Sequence, residues 1–323
     1  MEFRGSYLAI GEEDYGCCAN GRSYLNKGLI WTSIDGRHWQ LHHVASLEGA
    51  AILGLLTDGS HLYAYGDYAA VRDVSGGFGM GAVWVSTDGL SWTRSTQTGL
   101  TPGALALGPH GLLAVRSLSG QSQFLRSTDG LHWTPTSGTF PVDVMGIAVG
   151  PDGSALAIAW PNDSSYSAAS TVAYRSADGV TWTGPEAISN HLLSFLTAVP
   201  GGYLAMDNGG GRNRLVRLPG SAPPQGVDPG VSDGFDLDNG ILASGDVVIV
   251  RGASPSPVDA VSAAWISTDG GLTFGLLPAP IAAANQDAFL TGLVETPTGL
   301  LAVGKTGLVM APGGSPLAWL IER

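Results

Sequence analysis

The sequence predicts an all-β fold of many short strands, and its composition gives three reasons. The 323 residues include 48 glycines and 19 prolines, and only 13% of them are charged. Glycine is about twice as frequent as usual and charge about half as frequent, whereas surface helices need Lys, Glu and Arg on their outer faces. Because 44% of the residues are hydrophobic and nine are tryptophan, the chain can still bury a core. Short strands joined by glycine turns fit this combination.

Five copies of a short motif recur along the chain. Four have the pattern Ser-x-Asp-Gly-x-x-Trp, and the fifth, Ser267–Phe274, is one residue longer. Successive motif serines are 53, 41, 49 and 91 residues apart. If the last gap holds two repeats, the period is about 47 residues and the chain contains seven repeats. The shorter copies begin at Ser33, Ser86, Ser127 and Ser176.

Each repeat contains four short strands in a fixed order. The first precedes a tight turn, as in Gly146–Gly150 before Pro151-Asp152-Gly153, and the second is an apolar triplet. The third strand runs into the Ser-x-Asp motif, and the fourth leaves from its tryptophan. Short apolar runs bounded by glycine and proline favour strand over helix. The triplets begin at Leu8, Tyr63, Leu113, Leu156, Leu204, Val248 and Leu301.

A period in the forties with four strands per repeat is typical of β-propeller blades. We therefore predict one domain, residues 1–323, folded as a seven-bladed β-propeller. Its blades are four-stranded and antiparallel, with the motif in the turn between the third and fourth strands. The approximate blades are 1–46, 47–97, 98–138, 139–188, 189–230, 231–281 and 282–323.

The longer copy, Ser267-Thr-Asp-Gly-Gly-Leu-Thr-Phe274, follows the Ser-x-Asp-x-Gly-x-Thr-Trp pattern of the Asp box, with phenylalanine as its aromatic residue. With the four shortened copies, the chain resembles the Asp-box (BNR, or sialidase-type repeat) β-propellers over nearly its full length. That superfamily includes sialidases, xyloglucanases, sortilin-type receptors and photosystem II assembly factors. The resemblance therefore implies a fold and no single activity. It also implies a ligand site around the central channel, on the face opposite the boxes.

The motif aspartates are interpreted as structural. Ser and Asp side chains accept backbone N–H groups in turns of this kind. The glycine takes the left-handed backbone conformation, and the tryptophan packs between blades. No catalytic role is therefore expected for Asp35, Asp88, Asp129, Asp178 or Asp269.

Charged residues interrupt a column of small ones directly after the apolar triplets. Arg116, Asp207 and Arg251 stand in this column, and charges on packed inner strands need partners or a ligand. An Arg–Asp pair that joins blades is the alternative interpretation. The loops that follow on the same face are long and varied, as functional loops tend to be. They add Glu12, Asp67 and Tyr68 as candidate substrate-binding residues.

Trp160 is the tryptophan that the repeat leaves without a structural place. It precedes Pro161-Asn162-Asp163 on the predicted ligand face, where an indole can stack on a sugar; a rim contact with Tyr166 is the alternative. A glycosidase also needs two carboxyl groups roughly 5–9.5 Å apart across the bond. The candidate catalytic carboxylates are Asp143, Asp236 and Asp287 at first-strand starts, together with Asp207.

These features predict a carbohydrate-active protein of the glycoside hydrolase kind, with a carboxylate pair on the ligand face. A non-catalytic scaffold that binds a protein partner there is the first alternative, and a lyase or biosynthetic enzyme holding an acidic substrate is the second. No cofactor or metal is expected, and a monomer is expected. The net charge of −12 argues against nucleic acid, since phosphate binding needs clustered Lys and Arg.

The predicted location is secreted or periplasmic as a mature chain, with a cytoplasmic location as the alternative. No apolar run reaches the roughly 18 residues of a membrane span, and no signal peptide is visible. Cys17 and Cys18 are adjacent, so they form either two reduced thiols or a strained vicinal disulfide.

Overall fold

The computed structural model describes residues 1–13, 27–68, 80–161, 170–209, 213–220, 224–230, 236–253, 262–277, 288–296, 299–306 and 316–322. All regular structure in these ranges is β-strand, which confirms the all-β prediction. The strands fall into two compact units, Met1–Phe140 and Pro141–Arg323, and each is described by itself. Within the described ranges, no helix is long and apolar enough to cross a membrane.

Unit 1 begins with a four-stranded antiparallel sheet in the order β1-β2-β3-β4. Its next eight strands are hydrogen-bonded into one sheet, in which β7 meets β9 at the pair Gly81–Leu100. Strands β5–β8 and β9–β12 therefore form two four-stranded groups. The strands are β1 Glu2–Phe3, β2 Ser6–Glu13, β3 Lys27–Ser33, β4 Gln40–Glu48, β5 Ala50–Thr57, β6 Leu62–Tyr68, β7 Met80–Ser86, β8 Thr93–Arg94, β9 Leu100–Gly108, β10 Gly111–Ser117, β11 Ser122–Ser127 and β12 Thr134–Phe140.

Unit 2 contains three four-stranded antiparallel sheets, β13–β16, β17–β20 and β21–β24, and a sheet of three described strands, β25–β27. The prediction of four-stranded antiparallel sheets is thereby confirmed. The strands are β13 Val142–Val149, β14 Ala155–Pro161, β15 Thr171–Ser176, β16 Thr183–Ser189, β17 Leu193–Val199, β18 Gly202–Asp207, β19 Arg214–Leu218, β20 Gln225–Val227, β21 Asp236–Ser244, β22 Val247–Ala253, β23 Ser262–Ser267, β24 Gly275–Leu277, β25 Ala288–Thr296, β26 Gly299–Thr306 and β27 Pro316–Glu322.

The apolar triplets lie in the second strand of every group and form the core between neighbouring sheets. In unit 1, Leu8 packs in one cluster with Leu62 and the fully buried Trp84. In unit 2, Leu204 packs with Val250 and with Trp265. Continuous apolar runs of this length are what strands buried on both faces require. Each sheet is therefore held mainly by burial against its neighbours in the same unit.

The Ser-x-Asp motifs occupy the turns between third and fourth strands. In one of them, the Ser127 Oγ–H donates to Asp129 Oδ1 at 3.0 Å, and the Gly130 N–H donates to Ser127 Oγ at 2.8 Å. Asp129 Oδ1 also accepts the N–H groups of Leu131 and His132, each at 2.8 Å. The Ser–Asp bond recurs at 2.6 to 3.1 Å in all five turns, which begin at Ser33, Ser86, Ser127, Ser176 and Ser267. The motif carboxylates therefore accept hydrogen bonds within their own turns, in agreement with the structural role predicted for them.

The turn between β10 and β11 offers a test of local backbone strain. Leu118 and Gln121 exchange both backbone hydrogen bonds around Ser119 (φ 47°) and Gly120 (φ 82°). Positive φ at both central positions defines a type I′ turn, which prefers Asn-Gly. We expect Ser119→Asn to raise the free energy of unfolding by about 0.5 kcal/mol, because asparagine tolerates this conformation better than serine. Urea unfolding measures the change, and Ser119→Val, whose branched side chain does not tolerate it, should change stability in the opposite direction.

Candidate functional site

The predicted site residues are distributed over both units, and three of them have no described side chain. Asp287 lies outside the described residues. Glu12 and Asp236 belong to strands β2 and β21, but their side chains are also outside the described part. The other predicted residues are Asp67, Tyr68 and Arg116 in unit 1, and Asp143, Trp160, Asp207 and Arg251 in unit 2.

In unit 1, Asp67 and Arg116 lie in one row across four strands, because the register pairs run Asp67–Gly81, Gly81–Leu100 and Leu100–Arg116. Arg116 donates from Nη2 to Oε1 of Gln123, its partner on β11. Burial raises the pKa of Asp67, and among the described residues its Oδ1 is buried without a hydrogen-bond partner. Asp67 and Arg116 are therefore separated by strands β7 and β9 and do not form an ion pair with each other.

Tyr68 follows Asp67 and is covered by a cation. The Arg94 guanidinium carbon lies 3.5 Å from the centre of the Tyr68 ring, a cation–π contact. A nearby cavity of about 10 Å³ is lined by Gly66, Leu100 and other residues of β6, β7, β9 and β10. A space of that size holds at most one water molecule. The described residues of unit 1 thus offer charged and aromatic groups beside a cavity that is too small for an organic ligand.

In unit 2, the register of β13 and β14 places Asp143 directly opposite Trp160. Residues opposite each other on antiparallel strands project from the same face, with Cβ atoms about 4.5–5.5 Å apart. Asp143 is exposed and Trp160 is half-buried. The Trp160 Nε1–H donates to the carbonyl of Leu193 on β17 at 3.2 Å. The indole is thereby held between sheets β13–β16 and β17–β20, beside the exposed Asp143 carboxylate. Tyr166, its alternative partner, lies outside the described residues.

Asp207 ends β18 opposite Leu193, at the same junction of the two sheets. Its Oδ2 lies 3.0 Å from Nδ1 of His191, and its Oδ1 accepts the Gly209 N–H at 2.8 Å. The Asp207 side chain is 14% exposed and the His191 side chain 49%. Asp207 is therefore held by two neighbours, one of which is a histidine at the protein surface.

Buried Thr171 fixes the backbone that carries this histidine. Its Oγ1–H donates to the His191 carbonyl at 2.7 Å, and its Oγ1 accepts the Leu193 N–H at 2.9 Å. The side chain of β15 thereby anchors the entry into β17 at both sides of residue 192. His191 and the Trp160 partner Leu193 are consequently held in one rigid segment.

Leu193 links these residues, because its carbonyl accepts from Trp160, which stands opposite Asp143, and because it pairs with Asp207, which contacts His191. We call this group the β13–β18 site. A weak signal for His191 was present in the sequence, because His191 stands just before a predicted first strand, and Asp143 was singled out for its place at the start of another first strand. Arg251 lies elsewhere in unit 2, where its guanidinium packs against Gly240. A Cβ on Gly240 would lie 2.9 Å from Nη2 of Arg251. No cluster of three or more His, Cys, Asp or Glu residues suited to a metal occurs in the described ranges.

Comparison with known proteins gives likeness in structure only. No protein-family model and no curated protein matches the sequence. A GH74 enzyme of Niastella koreensis is similar with a TM-score of 0.53 and 15% identity over 84% of this chain and 46% of that one. The β-propeller domain of the Trilobed protease of Pyrococcus furiosus is similar with a TM-score of 0.50 and 6% identity, over 83% of this chain and 92% of that one. An α-L-arabinanase of Penicillium chrysogenum, complexed with arabinobiose, is similar with a TM-score of 0.50 and 13% identity, over 81% of this chain and 90% of that one.

These likenesses show that the chain has a β-propeller fold. At such low identity they show the fold alone, because propellers carry unrelated activities. The chain also spans less than half the length of the Niastella enzyme, so that enzyme's activity does not follow from the likeness.

Proposed function

We propose that residues 1–323 form one seven-bladed β-propeller whose Ser-x-Asp turns are Asp boxes. Five motif turns with the same Ser–Asp bond, each between a third and a fourth strand, support the box assignment. Seven successive strand groups support the blade count: β1–β4, β5–β8, β9–β12, β13–β16, β17–β20, β21–β24 and β25–β27.

We propose that the protein binds a glycan at the β13–β18 site. The observation that carries this proposal is the cross-strand pair of Asp143 and Trp160. An indole presents a flat apolar face to the C–H groups of a sugar ring, and a carboxylate accepts hydrogen bonds from its hydroxyl groups. The Trp160–Leu193 hydrogen bond orients the ring in advance, which lowers the entropy lost on binding.

The proposed activity is hydrolysis of a glycosidic bond. The GH74 enzyme and the arabinanase among similar structures support a hydrolase of this kind. We assign Asp143 as the acid that donates to the glycosidic oxygen, with Asp207 as the second carboxylate of the site. Since such substrates are met mainly outside the cytoplasm, we propose that the mature protein is secreted or periplasmic.

A glycan array and a panel of aryl glycosides test this proposal. We expect Trp160→Ala to weaken binding of the selected glycan at least about 10-fold, because a central aromatic contact is lost, while Trp160→Phe keeps most of the affinity. Asp143→Asn should abolish turnover and retain binding. The control is Asp152→Asn, because Asp152 is an exposed aspartate in the turn at the other end of the β13–β14 hairpin. Absence of binding and turnover by the wild-type protein would refute the proposal.

A protein-interaction scaffold is the second candidate. The observation in its favour is that Asp143 is exposed and Trp160 only half-buried, so both side chains are accessible to a protein surface. The scaffold predicts that Trp160→Ala and Asp143→Asn weaken capture of a protein partner while glycan binding is absent in the wild type. Pull-down with both variants distinguishes the two functions.

A further inference from the structure

We propose that His191 is the general base of the β13–β18 site and that Asp207 is its positioning residue. The proposal rests on the glycan-hydrolysing function above. In it, His191 and not Asp207 acts directly in the reaction. It assigns the two titratable groups of the pair to different tasks. His191 exchanges a proton with the reacting water, and Asp207 orients the imidazole.

The hydrogen bonds of Asp207 lead to this division. Both carboxylate oxygens are engaged, Oδ2 by His191 Nδ1 at 3.0 Å and Oδ1 by the Gly209 N–H at 2.8 Å. A carboxylate only accepts hydrogen bonds, so Nδ1 carries the proton; in the neutral imidazole Nε2 is then the nitrogen with the free lone pair. Because the Asp207 side chain is 14% exposed and that of His191 49%, the aspartate is shielded while the histidine is open to a ligand.

Neighbouring groups restrain both the ring and the backbone of His191. A Cβ at Gly209 would lie 2.3 Å from Cγ of His191, so the ring rests directly on the glycine backbone. On the other side, the Thr171 hydroxyl holds the His191 carbonyl at 2.7 Å. Side chains held by neighbours in this way are pre-organised for proton transfer.

Other Asp–His pairs in the chain show what is particular about this one. His38–Asp35 and His132–Asp129 also join Nδ1 to Oδ2, at 2.6 Å, but their partners are three residues apart in a turn. Their aspartate side chains are 42% and 46% exposed. Asp207 and His191 are 16 residues apart and meet because β17 and β18 pair. The pair therefore differs from the turn pairs in joining two strands and in the low exposure of its aspartate, and we assign it to the chemistry of the site and the turn pairs to local structure.

The proposed step is a single displacement. His191 Nε2 accepts a proton from water while the water oxygen forms a bond to the anomeric carbon. The bond from that carbon to the glycosidic oxygen breaks, and the leaving oxygen takes the proton of the Asp143 carboxylic acid. The products are a sugar of inverted configuration and an alcohol, and the imidazolium proton returns to Asp143 through solvent. Asp207 stabilises the imidazolium and stays ionised.

Kinetics of His191→Ala and Asp207→Asn test the assignment on the substrate found in the glycoside panel. We expect His191→Ala to lower kcat about 10²–10⁴-fold with KM within a factor of three, because proton transfer and not binding is lost. Added imidazole should restore at least 10-fold of that loss in His191→Ala and none in Asp207→Asn. His132→Ala is the matched control and should leave kcat unchanged. Proton NMR of the first product should show the inverted anomer.

Chemical labelling gives a readout that does not need a substrate. Diethyl pyrocarbonate should modify Nε2 of His191 faster than that of the more exposed His132, and Asp207→Asn should slow this labelling. If glycosides are hydrolysed but His191→Ala keeps full kcat, the base assignment is wrong while the proposed function stands. If no glycoside is hydrolysed, the proposed function fails. Fast, Asp207-dependent labelling then supports His191 as the reactive base, and labelling at the rate of His132 overturns it.

Discussion

Replacement of Gly130 by alanine is expected to lower the free energy of unfolding by about 3 kcal/mol. Gly130 has φ +73°, and a Cβ there would lie 2.8 Å from Cγ2 of Val85 and 2.9 Å from Cδ1 of Tyr63. Both neighbours are buried, so they cannot move aside freely. The left-handed conformation costs alanine roughly 1–2 kcal/mol, and overpacking adds about 1–3 kcal/mol. Denaturant unfolding of the purified variant measures the sum.

Gly59→Ala is the control for the backbone component of this effect. Gly59 has φ +86°, and a Cβ there would meet no atom within 4 Å. The variant should therefore lose only about 1–2 kcal/mol. Equal losses in the two variants would show that the contact of the Gly130 turn with Val85 and Tyr63 carries no cost.

Acidification from pH 5 to pH 2 is expected to unfold the protein through its turn aspartates. The backbone N–H groups of Ser91 and Leu90 lower the pKa of Asp88 to about 2, and those of Thr181 and Val180 do the same for Asp178. Since the unfolded chain titrates near 3.8, it takes up protons before the native state does. The stability from these groups is complete above about pH 4–5 and is lost as the pH falls through 3.8 toward 2. Tryptophan fluorescence during acid titration follows the transition.

Asp88→Asn identifies the contribution of one turn to acid unfolding. The variant should be less stable than the wild type at pH 7, and the difference should shrink as the pH falls from 3.8 to about 2, where half of the native Asp88 carboxyl groups are neutral. Asp246→Asn is the control, because the Asp246 side chain has no hydrogen bond among those of the described residues. A difference between wild type and Asp88→Asn that persists unchanged at pH 2 would contradict this origin. Because these groups are exposed, added salt should reduce the effect.

The candidate site was only partly predictable from the sequence. Trp160 was identified as a residue that the repeat does not use, and Asp143 as a carboxylate at the start of a first strand. Their pairing follows from the register of β13 and β14, which places them on the same face of the sheet. Asp207 was predicted as a candidate catalytic carboxylate, and in the structure it contacts His191, which belongs to a segment that no motif marks. Arg116 was predicted as a ligand-binding charge, and in the structure it bonds to Gln123 on the neighbouring strand.

The sequence by itself determined the strands and the turns between them. The apolar triplets are continuous in the chain, and each Ser-x-Asp turn closes through bonds that span two to four residues, as in Ser127–Asp129 and Ser127–Gly130. Such local features form wherever the residues occur. The tertiary structure alone decided that Trp160 meets Leu193, 33 residues away, and that Asp207 meets His191, 16 residues away. Those contacts depend on how whole sheets pack and pair. That packing is driven by the burial of apolar area, which is non-directional, so the sequence pattern does not specify which distant residues meet.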